Sequence, residues 1–202
     1  MTSSDRAPAV DYKGKRGFDA LMADRDGIFD RPHYREQVEA IAAAMVKALR
    51  AGKKILWCGN GGSAAEAQHM AAELSGRYLR ERPGLASEAL SVNSSTITCI
   101  GNDYSFDQIF ERQVEAFAQE GDVVVGLTTS GSSRNVVLAL KAAKKKGAIA
   151  IAFTGNGGGQ TAEIADLVLL GPDGYAAIVQ EVHQRMAHIV CDLLEQRLIF
   201  GD

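Results

Sequence analysis

The chain has 202 residues, enough for one domain that folds on its own burial without disulfides or a structural metal. Its 46% apolar and 23% charged content, with 21 glycines against 4 prolines, excludes fibrous, disordered and disulfide-stapled chains. A net charge of −3 lacks the basic footprint of a nucleic-acid binder, and no stretch of 18 apolar residues is present to span a membrane.

Residues 1–31 are polar and irregular. They read as an N-terminal tail, or as an arm that packs on a partner subunit, with Phe18, Leu21 and Met22 spaced for one short helical turn. No apolar core of a secretory signal stands at the start. The three cysteines, Cys58, Cys99 and Cys191, are odd in number and form no C-x-x-C, so a reducing compartment and a cytoplasmic location are expected.

Residues 32–202 read as a single domain without an internal linker. Tyr34, Val38, Ile41, Met45 and Leu49 share one helical face, and Gly52 ends that helix. Ile55–Cys58 reads as a buried strand, followed by a glycine turn and a helix to about Gly76. Further strands are expected at Glu88–Val92, Ile97–Ile100, Asp122–Leu127, Ala148–Phe153 and Asp166–Leu170. Further helices are expected at Phe106–Glu120, Ser133–Lys146 and Ala176–Leu198. Between Val123 and Phe153 the strands are continuous apolar runs, the mark of strands covered on both faces in an α/β fold with a central parallel sheet.

Two strand-to-helix turns carry chemistry. Gly59-Asn60-Gly61-Gly62-Ser63-Ala64 fits the G-x-G-x-x-A of dinucleotide folds. No carboxylate ends the second strand to hold a ribose, because Asn93-Ser94-Ser95 stands there. The turn then reads either as a helix N-terminus that takes an anion or sugar oxygen, or as a plain turn capped by Ser63. Thr128-Thr129-Ser130-Gly131-Ser132-Ser133 sets five hydroxyls around one glycine at the start of a helix. Without Lys or Arg, it would hold a phosphate by dipoles; the bland alternative is a capped turn. A third glycine segment, Gly155–Gly159, also follows an apolar strand.

His69 and Glu73 are four apart on one helix and share a face. Gln180 and His188 are eight apart on the last helix, about 12 Å along its axis. Both falling on one metal would take helices from different subunits, or a bend.

Several segments in order resemble bacterial phosphoheptose isomerase, a family of the sugar isomerase (SIS) fold. They are Cys58-Gly59-Asn60-Gly61-Gly62-Ser63, Gln68 to Tyr78, Arg82-Pro83-Gly84, Gly101-Asn102-Asp103-Tyr104, Thr129-Ser130-Gly131 and Gln180-Glu181-Val182-His183, with His188 beyond. The resemblance runs from about Tyr34 to Leu198. It implies a flavodoxin-like three-layer αβα sandwich and a homotetramer with sites between subunits. It implies one zinc per subunit at His69, Glu73, Gln180 and His188. Glu73 and His188 would be catalytic. Asn60, Gly61, Gly62 and Ser63 would form one substrate loop and Thr128, Thr129, Ser130 and Ser133 the phosphate loop, with Arg77, Asn102, Asp103, Glu73 and Gln180 as further substrate contacts. Ala177 stands where several relatives carry Asp, a departure that bears on the substrate.

The implied reaction interconverts sedoheptulose 7-phosphate and D-glycero-D-manno-heptose 7-phosphate through a metal-stabilised enediolate. It is the first step toward nucleotide-activated heptose, as in lipopolysaccharide. The partner is then a phosphorylated seven-carbon sugar, with neither nucleic acid nor membrane. The alternative is a non-catalytic tetrameric scaffold, like the SIS-fold protein that associates with a replication initiator. A SIS transcription regulator needs a DNA-binding domain, for which 31 polar residues are too few.

Overall fold

Four apolar runs and one short polar edge strand lie side by side in one sheet. A computed structural model of the chain describes residues 17–201. Its strands are β1 (Ile55–Gly59), β2 (Ser87–Ala89), β3 (Val123–Thr128), β4 (Ile149–Thr154) and β5 (Leu167–Leu170). They run in the order β2-β1-β3-β4-β5, and every neighbouring pair is parallel. Ile55 stands opposite Val123, and Val123 opposite Ile149. β1 and β3 are buried along their whole length, which requires cover on both faces.

That cover comes from helices: α1 (Phe18–Ala23) buries none of its residues, and the layers are built from α2 (His33–Arg50), α3 (Gly62–Ser75), α4 (Ser94–Asp103), α5 (Glu111–Phe117), α6 (Arg134–Lys145), α7 (Gly159–Ile164) and α8 (Ala176–Phe200). Side chains alternate across a strand. Ile55, Trp57, Val123, Val125, Ile151 and Phe153 therefore meet α2, α3 and α8 on one face. Leu56, Cys58, Val124, Ala150 and Ala152 meet α4, α5 and α6 on the other. The expected three-layer αβα sandwich is the fold observed.

The domain's first described segment is tied down. Ile28 is buried in the core, and the Tyr34 hydroxyl donates to its carbonyl at 3.2 Å. Arg25 Nε and Nη2 donate to Glu181 Oε1 at 3.0 and 2.8 Å, and Nη1 donates to the Tyr175 hydroxyl at 3.1 Å. The rest of the tail or arm, residues 1–16, lies outside the described residues.

Three expectations need correction. Ile97–Ile100 is not a strand but part of α4. Asn93 caps this helix by accepting the Thr96 N–H at 3.0 Å, and Thr98 Oγ1 donates back to Ser94 O at 2.7 Å. The single helix expected over Phe106–Glu120 is a 3-10 turn, Phe106–Gln108, followed by the short α5. Its end comes early because Ala118 turns extended and Asp122 Oδ2 takes the Gln119 N–H at 2.8 Å. The strand expected to reach Val92 stops at Ala89, where a turn closes from Val92 N–H to Ala89 O.

One close approach sets the spacing of a layer. A Cβ on Gly126 of β3 would stand 2.6 Å from Val136 Cγ1 and 3.2 Å from Leu140 Cγ, both on α6. Gly126→Ala is expected to destabilise the fold by about 1–3 kcal/mol through overpacking, and Gly126→Val by more. Urea denaturation measures both; unchanged midpoints would refute this packing account.

Candidate active site

The sheet order places a topological switch point between β1 and β3, where helices leave in opposite directions and ligands collect in open α/β sheets. The glycine turn follows β1 and the hydroxyl loop follows β3, so both candidate loops flank that point. They are tied together by a reciprocal pair that sequence reasoning missed. Asn60 Nδ2 donates to Asn135 Oδ1 and Asn135 Nδ2 donates to Asn60 Oδ1, each at 2.8 Å. Asn135 is buried in the first turn of α6.

In the glycine turn, Gly61 caps α3 with φ +54, and Ser63 sits one residue inside the helix rather than at its cap. Gly62 is needed for a different reason: a Cβ there would stand 2.6 Å from Gln180 Nε2. Gln180 Nε2 lies 3.5 Å from Ser63 Oγ.

In the hydroxyl loop, Thr128 Oγ1 lies 2.9 Å from Ser133 Oγ and 3.4 Å from Ser130 Oγ. The Ser132 N–H donates to Ser130 Oγ at 3.3 Å. Gly131 has φ +69, and a Cβ on it would come within 2.1 Å of Gly158 O. The third glycine segment therefore packs against the hydroxyl loop. Its Asn156, in the left-handed region at φ 50, donates to Thr129 O at 2.9 Å and to Gly174 O at 3.1 Å. Asn tolerates that conformation, and a lone Asn among glycines was the available signal.

The imidazoles and carboxylate meet where α3 packs beside α8. His69 Nε2 is 2.9 Å from His188 Nε2 and 3.3 Å from Glu73 Oε1. One donor atom from each of the three lies within 4.8 Å of the others. Two imidazole nitrogens and a carboxylate oxygen are a donor set that suits a divalent metal ion of the borderline class. Burial lowers the His188 pKa, with His69 adding to the effect and Glu73 opposing it. All three residues come from one chain, so no second subunit is needed to join the two helices here. The eight-residue spacing on α8 is divided between two contacts: His188 meets His69, while Gln180 faces Gly62 and Ser63.

The remaining candidates lie elsewhere. Arg77 is exposed just beyond α3. Asn102 and Asp103 end α4 in the opposite helical layer, with Asn102 Nδ2 donating to Asp103 Oδ1 at 2.8 Å. His183, from the same motif as Gln180, belongs to the core. Its Nε2 lies 3.0 Å from Thr154 O, and burial drives its pKa down to about 4 against the pull of that carbonyl.

Comparison with known proteins agrees with this architecture. The SIS domain family model matches residues 31–155. Phosphoheptose isomerase of Clostridium acetobutylicum is 47% identical over 178 residues, covering 88% of this chain and 90% of that protein. Phosphoheptose isomerase of Geobacter metallireducens is 53% identical over 162 residues, covering 80% and 86%. The solved phosphoheptose isomerase of Neisseria gonorrhoeae superposes with a TM-score of 0.81 at 39% identity, covering 88% of this chain and 96% of that one. A parallel five-stranded sheet with ligand loops at its switch point defines an α/β protein of the SIS class. Within that class the chain belongs to the phosphoheptose isomerase family.

Glu66 is the anomaly of α3. It is buried, neither carboxylate oxygen has a hydrogen-bond partner, and burial pushes its pKa up to about 8. An acid whose folded pKa lies above its unfolded value of 4.5 binds a proton on folding, so it costs stability as pH rises from about 4.5 to about 8. Glu66→Gln removes that cost. The variant is expected to gain on the order of 3 kcal/mol relative to wild type at pH 8.5 compared with pH 4.5. Urea denaturation at the two pH values tests it; parallel pH profiles for the two proteins would contradict it.

Proposed function

We infer that the chain interconverts sedoheptulose 7-phosphate and D-glycero-D-manno-heptose 7-phosphate, an aldose–ketose isomerisation at the start of nucleotide-activated heptose synthesis. The observation that carries this is the convergence of His69, Glu73 and His188 in a chain of the phosphoheptose isomerase family. Isomerisation moves a proton between adjacent carbons, one of which bears a carbonyl. It needs a base, an acid and a means of stabilising negative charge on oxygen.

Glu73 is the base of this reading. Its Oε1 faces His69, so Oε2 is assigned the proton taken from C1 of the ketose and returned to C2. His188 is the opposing acid, moving a proton between the two substrate oxygens. His69, Glu73 and His188 would hold a zinc ion; Gln180, the fourth ligand in the family's pattern, lies against Gly62 and Ser63 and would have to turn to join them. When bound, zinc supplies Lewis-acid polarisation of the substrate oxygens. A base alone typically gives 10² to 10⁴, short of the roughly 10⁶ or more usual in enzymes, so charge stabilisation must contribute too.

The sugar phosphate is assigned to the hydroxyl loop. Thr128, Thr129, Ser130 and Ser133 offer hydroxyls at the opening of α6, where helix N–H groups favour an anion. Asn60, Gly61, Gly62 and Ser63, at the start of α3 with Gln180 beside them, are assigned to the sugar, and Arg77, beyond the other end of α3, to a further contact. Asn102 and Asp103, at the end of α4 in the layer opposite the imidazoles, would join the site from a second copy of the chain. This reading takes the chain as a homotetramer with sites between subunits, built from the domain of residues 32–202 with residues 1–31 as a tail or arm whose described part packs on its own chain. A cytoplasmic location belongs to the same reading; among the described residues no helix is long and apolar enough to cross a membrane.

The non-catalytic scaffold does not require these three donor atoms to converge, and here they do. Glu73→Gln is expected to lower kcat by about 10² to 10⁴ with little change in KM, and His188→Ala by about 10². Steady-state kinetics on sedoheptulose 7-phosphate decides; a folded Glu73→Gln protein with full kcat would overturn the assignment.

A further inference from the structure

We propose that the buried Arg82–Glu195 pair is a positioning device, pinning residues 76–82 so that Glu73 and the Tyr78–His188 stack hold their places. The inference rests on the reading of Glu73 and His188 as catalytic. Glu195 lies two helical turns beyond His188 on α8, on the same face. Its side chain is fully buried, yet it takes no part in the chemistry described above.

What it holds is a loop. Glu195 Oε1 accepts the Tyr78 N–H at 3.3 Å, and Oε2 accepts those of Leu79 at 3.1 Å and Arg80 at 3.0 Å. Arg82 Nε donates to Oε1 at 2.9 Å, and the Arg82 side chain is only 4% exposed. The same guanidinium closes the end of α3. Nη1 donates to Leu74 O at 2.8 Å and Gly76 O at 3.2 Å, and Nη2 donates to Glu73 O at 2.6 Å. Arg80 Nη1 fastens the outer side to Asp192 Oδ1 at 2.6 Å. A planar guanidinium spans these acceptors in one fork, which an ammonium does not.

Two connections lead from this pair to the site. One is direct: the carbonyl of Glu73 itself is an Arg82 acceptor. The other runs through Tyr78, whose ring stacks on the His188 imidazole with centroids 5.8 Å apart and planes 19° from parallel. A buried ion pair is a poor way to gain stability compared with apolar packing. Its retention here, with so many backbone groups bound, accords with a role in fixing geometry. Misplacement by about 1 Å can cost a reaction a hundredfold.

The test compares wild type with Glu195→Gln, Tyr78→Leu and, as a control on the catalytic reading, Glu73→Gln. Folding is checked by circular dichroism, and kcat and KM are measured on sedoheptulose 7-phosphate. Glu195→Gln and Tyr78→Leu are expected to lose at least about tenfold in kcat, with KM moving less than about threefold. A folded Glu195→Gln or Tyr78→Leu protein with wild-type kcat, beside an inactive Glu73→Gln, overturns the positioning role alone. Full activity in Glu73→Gln overturns the catalytic reading, and the proposal with it. Should Glu195→Gln not fold, Tyr78→Leu decides on the same criteria, since Tyr78 is only half-buried.

Discussion

The site depends on how closely α3 lies against α8. At the start of α3, Gly62 presents no side chain, and Gln180 of α8 fills the space a Cβ would need. Six residues beyond Ser63, His69 reaches His188 at 2.9 Å. Beyond the end of α3, Arg82 and Glu195 lock the following loop to α8. α3 and the loop that follows it therefore meet α8 through polar groups at three levels. A side chain at position 62 would displace the Gln180 amide from its place beside Ser63. Convergence of donor atoms is thus a property of helix packing that exists before substrate arrives, which is what preorganised catalysis requires.

The sheet supplies the second half of the arrangement. Because β1 and β3 are neighbours, the turns that follow them open side by side at the carboxyl edge. The Asn60–Asn135 pair joins them with two reciprocal hydrogen bonds, and Asn156 joins the hydroxyl loop to the segment that leads into α8. Glycines permit these approaches where a Cβ would collide, as at Gly131 against Gly158. The abundance of glycine in the composition is thereby explained in part by loops packed on loops at one edge of one sheet.

Much of this was legible in the amino-acid order. Continuous apolar runs announced a covered parallel sheet, and the glycine and hydroxyl turns announced the ligand edge. Ile97–Ile100 misled because a short β-branched run has no periodicity to separate strand from helix; the Asn93 cap decided it. The eight-residue interval from Gln180 to His188 suggested two subunits or a bend, because spacing on one helix says nothing about which neighbour each residue meets. His188 found His69 within the chain, and Gln180 found the glycine turn. Glu195 and Arg82 were invisible for a related reason: they are 113 residues apart, and one carboxylate among the several polar residues of a long helix gives no sign of the backbone it will bind. Asn135 and Asn156 act the same way, through partners distant in sequence.

One measurement tests the isomerase most directly: turnover of sedoheptulose 7-phosphate by the purified chain, as prepared, after stripping with a chelator, and after zinc is restored. The account predicts that the aldose 7-phosphate forms, that stripping lowers the rate by at least about a hundredfold, and that zinc returns it. No aldose from the zinc-restored protein, or a rate indifferent to the chelator, would contradict it.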